Sequence, residues 1–247
     1  MEIKLSKQVI VESMNGSDNI AISRQATNQS NLEEDKIVWQ SIVDGNQKHP
    51  LVETIRSRIA KNHVHYGIET VDDISFDHIK KMAQAYLDAD PWLQINYCRD
   101  STRQSIDECV QTATLKRYLN DTFENIANGK EVLYNGKIVS KKQAVTLNKK
   151  QVKSRSVDAV GTYKNYNIKI FQKYAGVGGG VQTHQAVETQ NWLDECKKMQ
   201  EPNMLFIAQM DGNEAESHIP QLRELTKENQ NIFVGNTEQI IEYISQL

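Results

Sequence analysis

Between Lys137 and Lys173 the chain carries ten lysines and arginines but one acid, Asp158. That carboxylate sits inside an apolar run, "SVDAVG", although strand propensity disfavours aspartate there. A second alternating run, "NIKIFQKY", follows and contains Lys173. A carboxylate, a divalent metal and a lysine on adjacent strands can hydrolyse a phosphodiester. The metal polarises the phosphate and lowers the pKa of a bound water, and the lysine holds or activates the nucleophile. Oxygen donors and waters favour Mg²⁺ over softer metals. The bland alternative for Asp158 is an edge aspartate near a turn.

Whether the two groups converge depends on the turn between the runs. A two-residue turn at Lys164-Asn165 places position 158 opposite Phe171 and diagonal to Lys169 and Lys173 on one sheet face. A three-residue turn brings Ile170 and Gln172 to that face instead. Both registers are open to the sequence.

The stretch after Lys173, "YAGVGGGVQTHQ", is not a phosphate loop of the GK[ST] type, and it lacks the GxGxxG spacing of dinucleotide folds. It reads either as a plain strand-to-helix connection or as a DNA contact. In the second case Gly178, Gly179 and Gly180 let backbone approach backbone. Gln182 and Gln185 can pair bidentately with adenine, and His184 can donate to a base or phosphate. Lys149, Lys150, Lys153 and Arg155 would track phosphates, and Arg103 could do the same from a helix start. The net charge is −3, so the +9 between Lys137 and Lys173 leaves −12 elsewhere. A basic run is usually a solvated face; inside an acidic chain it also fits a phosphate-tracking surface.

Positioning these groups needs a sheet with helices around it. Residues 1 to about 35 are polar and weakly periodic and read as an arm or loose edge. From Lys36 to about Asn128 the pattern is helical, and "DSTRQSIDECVQTATLKRYL" carries a stripe of Ile106, Cys109, Val110 and Ala113 behind a Ser101/Gln104 capping box. "GKEVLYNGKIVS" reads as a hairpin turning at Asn135-Gly136. Alternating strands and helices follow to the end. The expected fold class is α/β (α+β): a central mixed β-sheet flanked by helices, with a helical N-terminal portion. The expected division is residues 1–130 as a mainly helical portion for DNA grip and dimerisation and residues 131–247 as the catalytic mixed-sheet core, in one composite domain.

Hydrophobic residues make up 38% of the chain and charged residues 25%, as in a soluble globular protein, and no apolar run reaches membrane-spanning length. Cys98, Cys109 and Cys196 form no CxxC pair, which argues against zinc and disulfides and for a reducing, cytoplasmic setting. Six scattered histidines suggest no metal site.

"SVDAVG" followed by "IKIFQKYAGVGGGVQTHQ" resembles the type II restriction endonucleases with the PD-(D/E)xK core, in which an aspartate on one strand precedes an acid-x-lysine pair on the next. The resemblance spans about residues 95–200 and matches Asp158 and Lys173. It implies a restriction-endonuclease-like core, Mg²⁺ as the cofactor, double-stranded DNA as substrate, a homodimer and a bacterial cytoplasmic location. It also implies a role for Glu108 in "DSTRQSIDECVQ", as a carboxylate brought from a preceding helix to hold metal with Asp158. One departure stands out: the second acid should lie two residues before the lysine, where this chain has Phe171. Either Glu108 supplies that acid, or Gln172 binds through its amide oxygen or takes the lysine's place, or the chain is a DNA-binding protein with an inactive nuclease core. A nucleotide-binding α/β protein using the glycine loop is a third reading.

Overall fold

The computed structural model describes residues 8–50, 52, 53, 56, 74–90, 103–120, 122–147, 156–176 and 182–247; of residues 103–105, 147 and 182–184 only the backbone is described. The chain forms two compact units, Met1–Ser6 with Gln25–Asp100, and Lys7–Arg24 with Ser101–Leu247. The sheet unit therefore takes in residues 101–130, which the sequence reading assigned to the helical portion.

Helix α1 spans Gly16–Val43, where the sequence suggested an arm. The correction has a simple cause. The buried positions Asn19, Ile20, Ser23, Thr27, Asn31, Val38 and Ile42 recur at helical spacing, but four of the first five are polar, so hydropathy hides the stripe. Asn19 shows why polarity is tolerated: its amide donates to the Ser13 carbonyl and to Thr114, and its oxygen accepts from the Glu12 backbone. In the smaller unit Val38 and Ile42 join Ile74, Ile79 and Ala83 in a core. The last two lie on α2, Phe76–Leu87, which is capped by Ser75. Trp39 stacks on Tyr86 there at 4.9 Å.

The sheet unit opens with α3, Arg103–Tyr118, and the short β1, Glu124–Asn125. The hairpin of β2, Val132–Tyr134, and β3, Lys137–Val139, turns at Asn135-Gly136 as expected. Both turn residues have positive φ, 48° and 75°, the geometry that an Asn-Gly pair adopts at least cost. Helix α4, Lys141–Leu147, follows. Strands β4, Ala159–Tyr163, and β5, Tyr166–Tyr174, are antiparallel. Helix α5, Gln182–Cys196, crosses to β6, Met204–Asp211, which runs parallel to β5. Helices α6, Asn213–Ser217, and α7, Ile219–Thr226, lead to β7, Ile232–Gly235, and α8, Thr237–Gln246, ends the chain. Here a single helix near 215–228 was expected; the break falls at His218, before Pro220 at the second position of α7. The five-stranded order is β1-β4-β5-β6-β7, a mixed sheet as predicted.

β6 is an inner strand buried on both faces, which explains its nearly continuous apolar run. On one face Ile168, Ile170, Leu205 and Ile207 pack with Leu115 of α3 and Ile240 and Ile244 of α8. On the other, Phe171, Phe206, Ala208 and Met210 pack with Trp192, Leu193 and Cys196 of α5. Among the described residues no helix is long and apolar enough to cross a membrane.

The polar exceptions in the sheet form one seam. Gln172 and Gln209 are register partners on β5 and β6, and Gln172 Nε2 donates to Gln209 Oε1 at 3.0 Å. Gln209 donates to Thr237 Oγ1 at 2.6 Å, which donates to Asp211 Oδ2 at 2.6 Å. The Thr237 backbone N–H and Gln111 Nε2 complete the shell of Asp211 at 3.0 and 2.7 Å. Gly16 belongs here because a Cβ on it would lie 2.3 Å from Thr237 Oγ1. Asp211→Ala strands these buried donors and should lower stability by about 2–4 kcal/mol in urea unfolding; a loss under about 1 kcal/mol would show that water satisfies them.

Candidate functional site

β4 and β5 join through the two-residue turn Lys164-Asn165, in a register running from Tyr163↔Tyr166 to Ala159↔Ile170. That resolves the turn in favour of the shorter form. The ladder then changes at its far end. Asp158 donates its backbone N–H to the Ile170 carbonyl at 2.9 Å, although Ala159 is the residue paired with Ile170. Two residues of one strand thus face one of the other, which is a β-bulge. Asp158 is consequently not placed simply opposite Phe171. Its carboxylate takes over a ladder position instead, Oδ2 accepting from the Gln172 backbone N–H at 2.9 Å.

Burial pushes the Asp158 carboxyl up to about 7; the Gln172 N–H and the Lys173 charge oppose the shift, while Glu108 and Glu188 add to it. A carboxyl near neutrality beside a lysine and two further acids is an uncommon grouping, and one that functional sites favour.

Lys173 is nearly enclosed, with 12% of its side chain exposed. Its Nζ lies 3.1 Å from Glu188 Oε2 and 4.6 Å from the centre of the Phe171 ring. Phe171 itself is buried and stacks on Trp192 at 5.5 Å. The position where an acid was sought is a core position. Glu188 was missed by the sequence reading. The available signal was its place one turn before Trp192, on the α5 face that covers β5.

Glu108 lies on α3, against the opposite face of the sheet from α5. It lines a cleft of about 180 Å³ with Arg24, Asp107, Gln111, Lys173 and Tyr174, among others. Arg24 holds Asp107 through two hydrogen bonds, 2.7 and 2.5 Å, and lies 4.5 Å from the Tyr174 ring centre. Gln185 borders the same cleft and donates weakly to the Tyr174 carbonyl at 3.5 Å.

Gln172 is placed differently from Lys173. Its Oε1 accepts from Asn125, and its Nε2 donates to Thr112 and Gln209. Its amide is committed to the buried seam, so the geometry favours neither a metal ligand nor a stand-in for the lysine at this position.

Lys149, Lys150, Lys153, Arg155, Gly178, Gly179 and Gly180 lie outside the described residues, as do the side chains of Arg103, Gln182 and His184. Within the basic run, Lys137, Lys141, Lys142 and Lys164 are exposed. Lys169 is paired with Glu131 at 2.7 Å.

The fit of a divalent ion can be judged from the donors. Among the described residues no three His, Cys, Asp or Glu side chains cluster closely enough to hold a metal by themselves.

Compared with known proteins, the chain matches no family model, no curated protein and no solved structure.

The raised Asp158 value fixes a pH dependence. Because the folded-state value lies above that of the unfolded chain, ionised Asp158 opposes folding above about pH 7, and the penalty fades as pH falls toward 4. Asp158→Asn should therefore raise metal-free stability by about 1–3 kcal/mol at pH 8.5 and leave it unchanged near pH 4. Urea unfolding at the two pH values checks this; equal stabilities at pH 8.5 would contradict it.

Proposed function

We propose that this chain is a Mg²⁺-dependent type II restriction endonuclease that hydrolyses phosphodiester bonds at specific sites in double-stranded DNA. The observation that carries the reading is the grouping of Asp158, on a bulge, with the enclosed Lys173 on the neighbouring strand, electrostatically coupled to it. This supports the strand-to-strand arrangement of aspartate and lysine that the resemblance implies.

In this reading Asp158 and Glu108 hold the metal, which when bound polarises the phosphate and acidifies a water. Asp158 must be ionised to do so, and its value of about 7 means that metal binding displaces a proton in neutral solution. Lys173 offers a positive charge to the non-bridging oxygens and orients the attacking water. The close packing around it keeps that charge poorly hydrated, which strengthens its hold on a phosphate. The Asp211–Gln111 pair steadies the strand end, because Gln111 Nε2 also donates to the Lys173 carbonyl at 3.2 Å.

The remaining parts of the reading are a homodimer that matches a two-fold symmetric site, and a bacterial cytoplasmic setting. DNA contacts would come from Lys149, Lys150, Lys153 and Arg155, from Gly178–Gly180, and from Arg103, Gln182, His184 and Gln185. The buried Phe171 at the acid position favours one competing reading, a DNA-binding protein with an inactive nuclease core.

The test is incubation of a long, unmethylated bacteriophage DNA with the protein in Mg²⁺ or EDTA, beside a Lys173→Ala variant. Discrete fragments in Mg²⁺ alone, lost or reduced at least 100-fold in the variant, are expected. Intact DNA at every protein concentration, with retarded mobility on a gel, would transfer the conclusion to the binding protein.

A further inference from the structure

Strand β5 lacks an acid two residues before Lys173, and the packing explains why. Position 171 faces α5, and Phe171 fills it against Trp192. A carboxylate there would be buried against an indole, at a cost of several kcal/mol.

The same helix supplies a carboxylate one turn away. Trp192 covers Phe171, and Glu188, four residues earlier, meets Lys173 at 3.1 Å. One helical turn rises about 5.4 Å, and two strand residues span about 6.6 Å. Two steps along β5 are therefore matched by one turn of α5 running the other way. The apolar contact fixes the polar one. Glu188 also acts electrostatically on Asp158, so its charge reaches the bulge as well as the lysine.

We infer that Glu188, in the place given above to Glu108 on the other face of the sheet, supplies the second carboxylate of the metal site, delivered from α5 because the strand position is taken by the core. The inference rests on the nuclease reading above and names a residue that reading leaves out. Without metal, Lys173 neutralises Glu188. A bound divalent ion would draw Glu188 away from Lys173 and leave the lysine charge for the substrate phosphate. Lys173 and the metal thus compete for one carboxylate.

That competition gives the inference a readout independent of cleavage. Mn²⁺ binding is titrated at pH 8 without DNA, following the free ion by electron paramagnetic resonance, for the wild type and for Asp158→Asn, Glu188→Gln, Lys173→Met and the Glu188→Gln/Lys173→Met pair. Glu188 is 41% exposed, so glutamine is accommodated, and thermal melts in EDTA verify folding. Glu188→Gln should weaken Mn²⁺ about tenfold or more. Lys173→Met should tighten it several-fold, and the double variant should bind as weakly as Glu188→Gln alone. If Glu188→Gln binds like the wild type while Asp158→Asn binds weakly, Glu188 is only the structural partner of Lys173 and the inference falls. If the wild type binds no Mn²⁺, or Asp158→Asn binds as the wild type does, the metal-dependent reading falls with it.

Discussion

A carboxylate with almost no exposed surface holds the sheet unit together beside the candidate site. Asp211 ends the inner strand β6, and burial raises its pKa against the pull of Thr237 and Gln111. Its three hydrogen bonds reach the first turn of α8 and the middle of α3. Leaving those donors unsatisfied in the interior would cost far more than a surface contact contributes. The helices on this face are therefore fixed in position and rotation by a polar requirement as well as by the apolar core.

The constraint passes directly to the candidate site. Gln111, held by Asp211, also grips the Lys173 carbonyl, and Gln209 ties Thr237 to Gln172. Gln172 in turn offers its backbone N–H to Asp158. Thus β5 carries two kinds of residue in alternation. One set faces α3 and serves the buried seam; the other faces α5 and presents Phe171 and Lys173. Asp158, on its bulge, sits where the β4 ladder gives way. It exchanges a backbone acceptor for a side-chain one, which leaves its carboxylate close to a charged lysine and poorly hydrated.

Much of this was legible in the sequence because short-range rules dominate it. Asn135-Gly136 specifies a two-residue turn, and the alternation on either side of Lys164-Asn165 marks two paired strands, although their register is fixed only by the structure. The apolar run of β6 reads as a strand, and its burial on both faces emerges from the helices packed on it. The anomaly of a lone aspartate in a basic, apolar context pointed to Asp158. What could not be read depended on partners distant in sequence. The polar stripe of α1 looks like an exposed arm until Asn19 is seen to bond Thr114. A bulge leaves no mark in residue types, so the displacement of Asp158 from Phe171 was hidden. Gln172 resembled a site residue because its amide partners, Asn125, Thr112 and Gln209, belong to three other elements. Glu188 was overlooked because its role follows from how α5 docks on β5, which Trp192 decides.

The nuclease reading requires a metal ion at the Asp158 bulge. The most direct measurement replaces Mg²⁺ with Fe²⁺ and generates hydroxyl radicals from the bound ion with ascorbate and peroxide, which cut the polypeptide close to it. Cuts in the chain near Asp158 and along β5 about Lys173, suppressed by excess Mg²⁺ and absent from Asp158→Asn, are expected. Cuts confined to other segments, or a pattern that Mg²⁺ does not suppress, would contradict it.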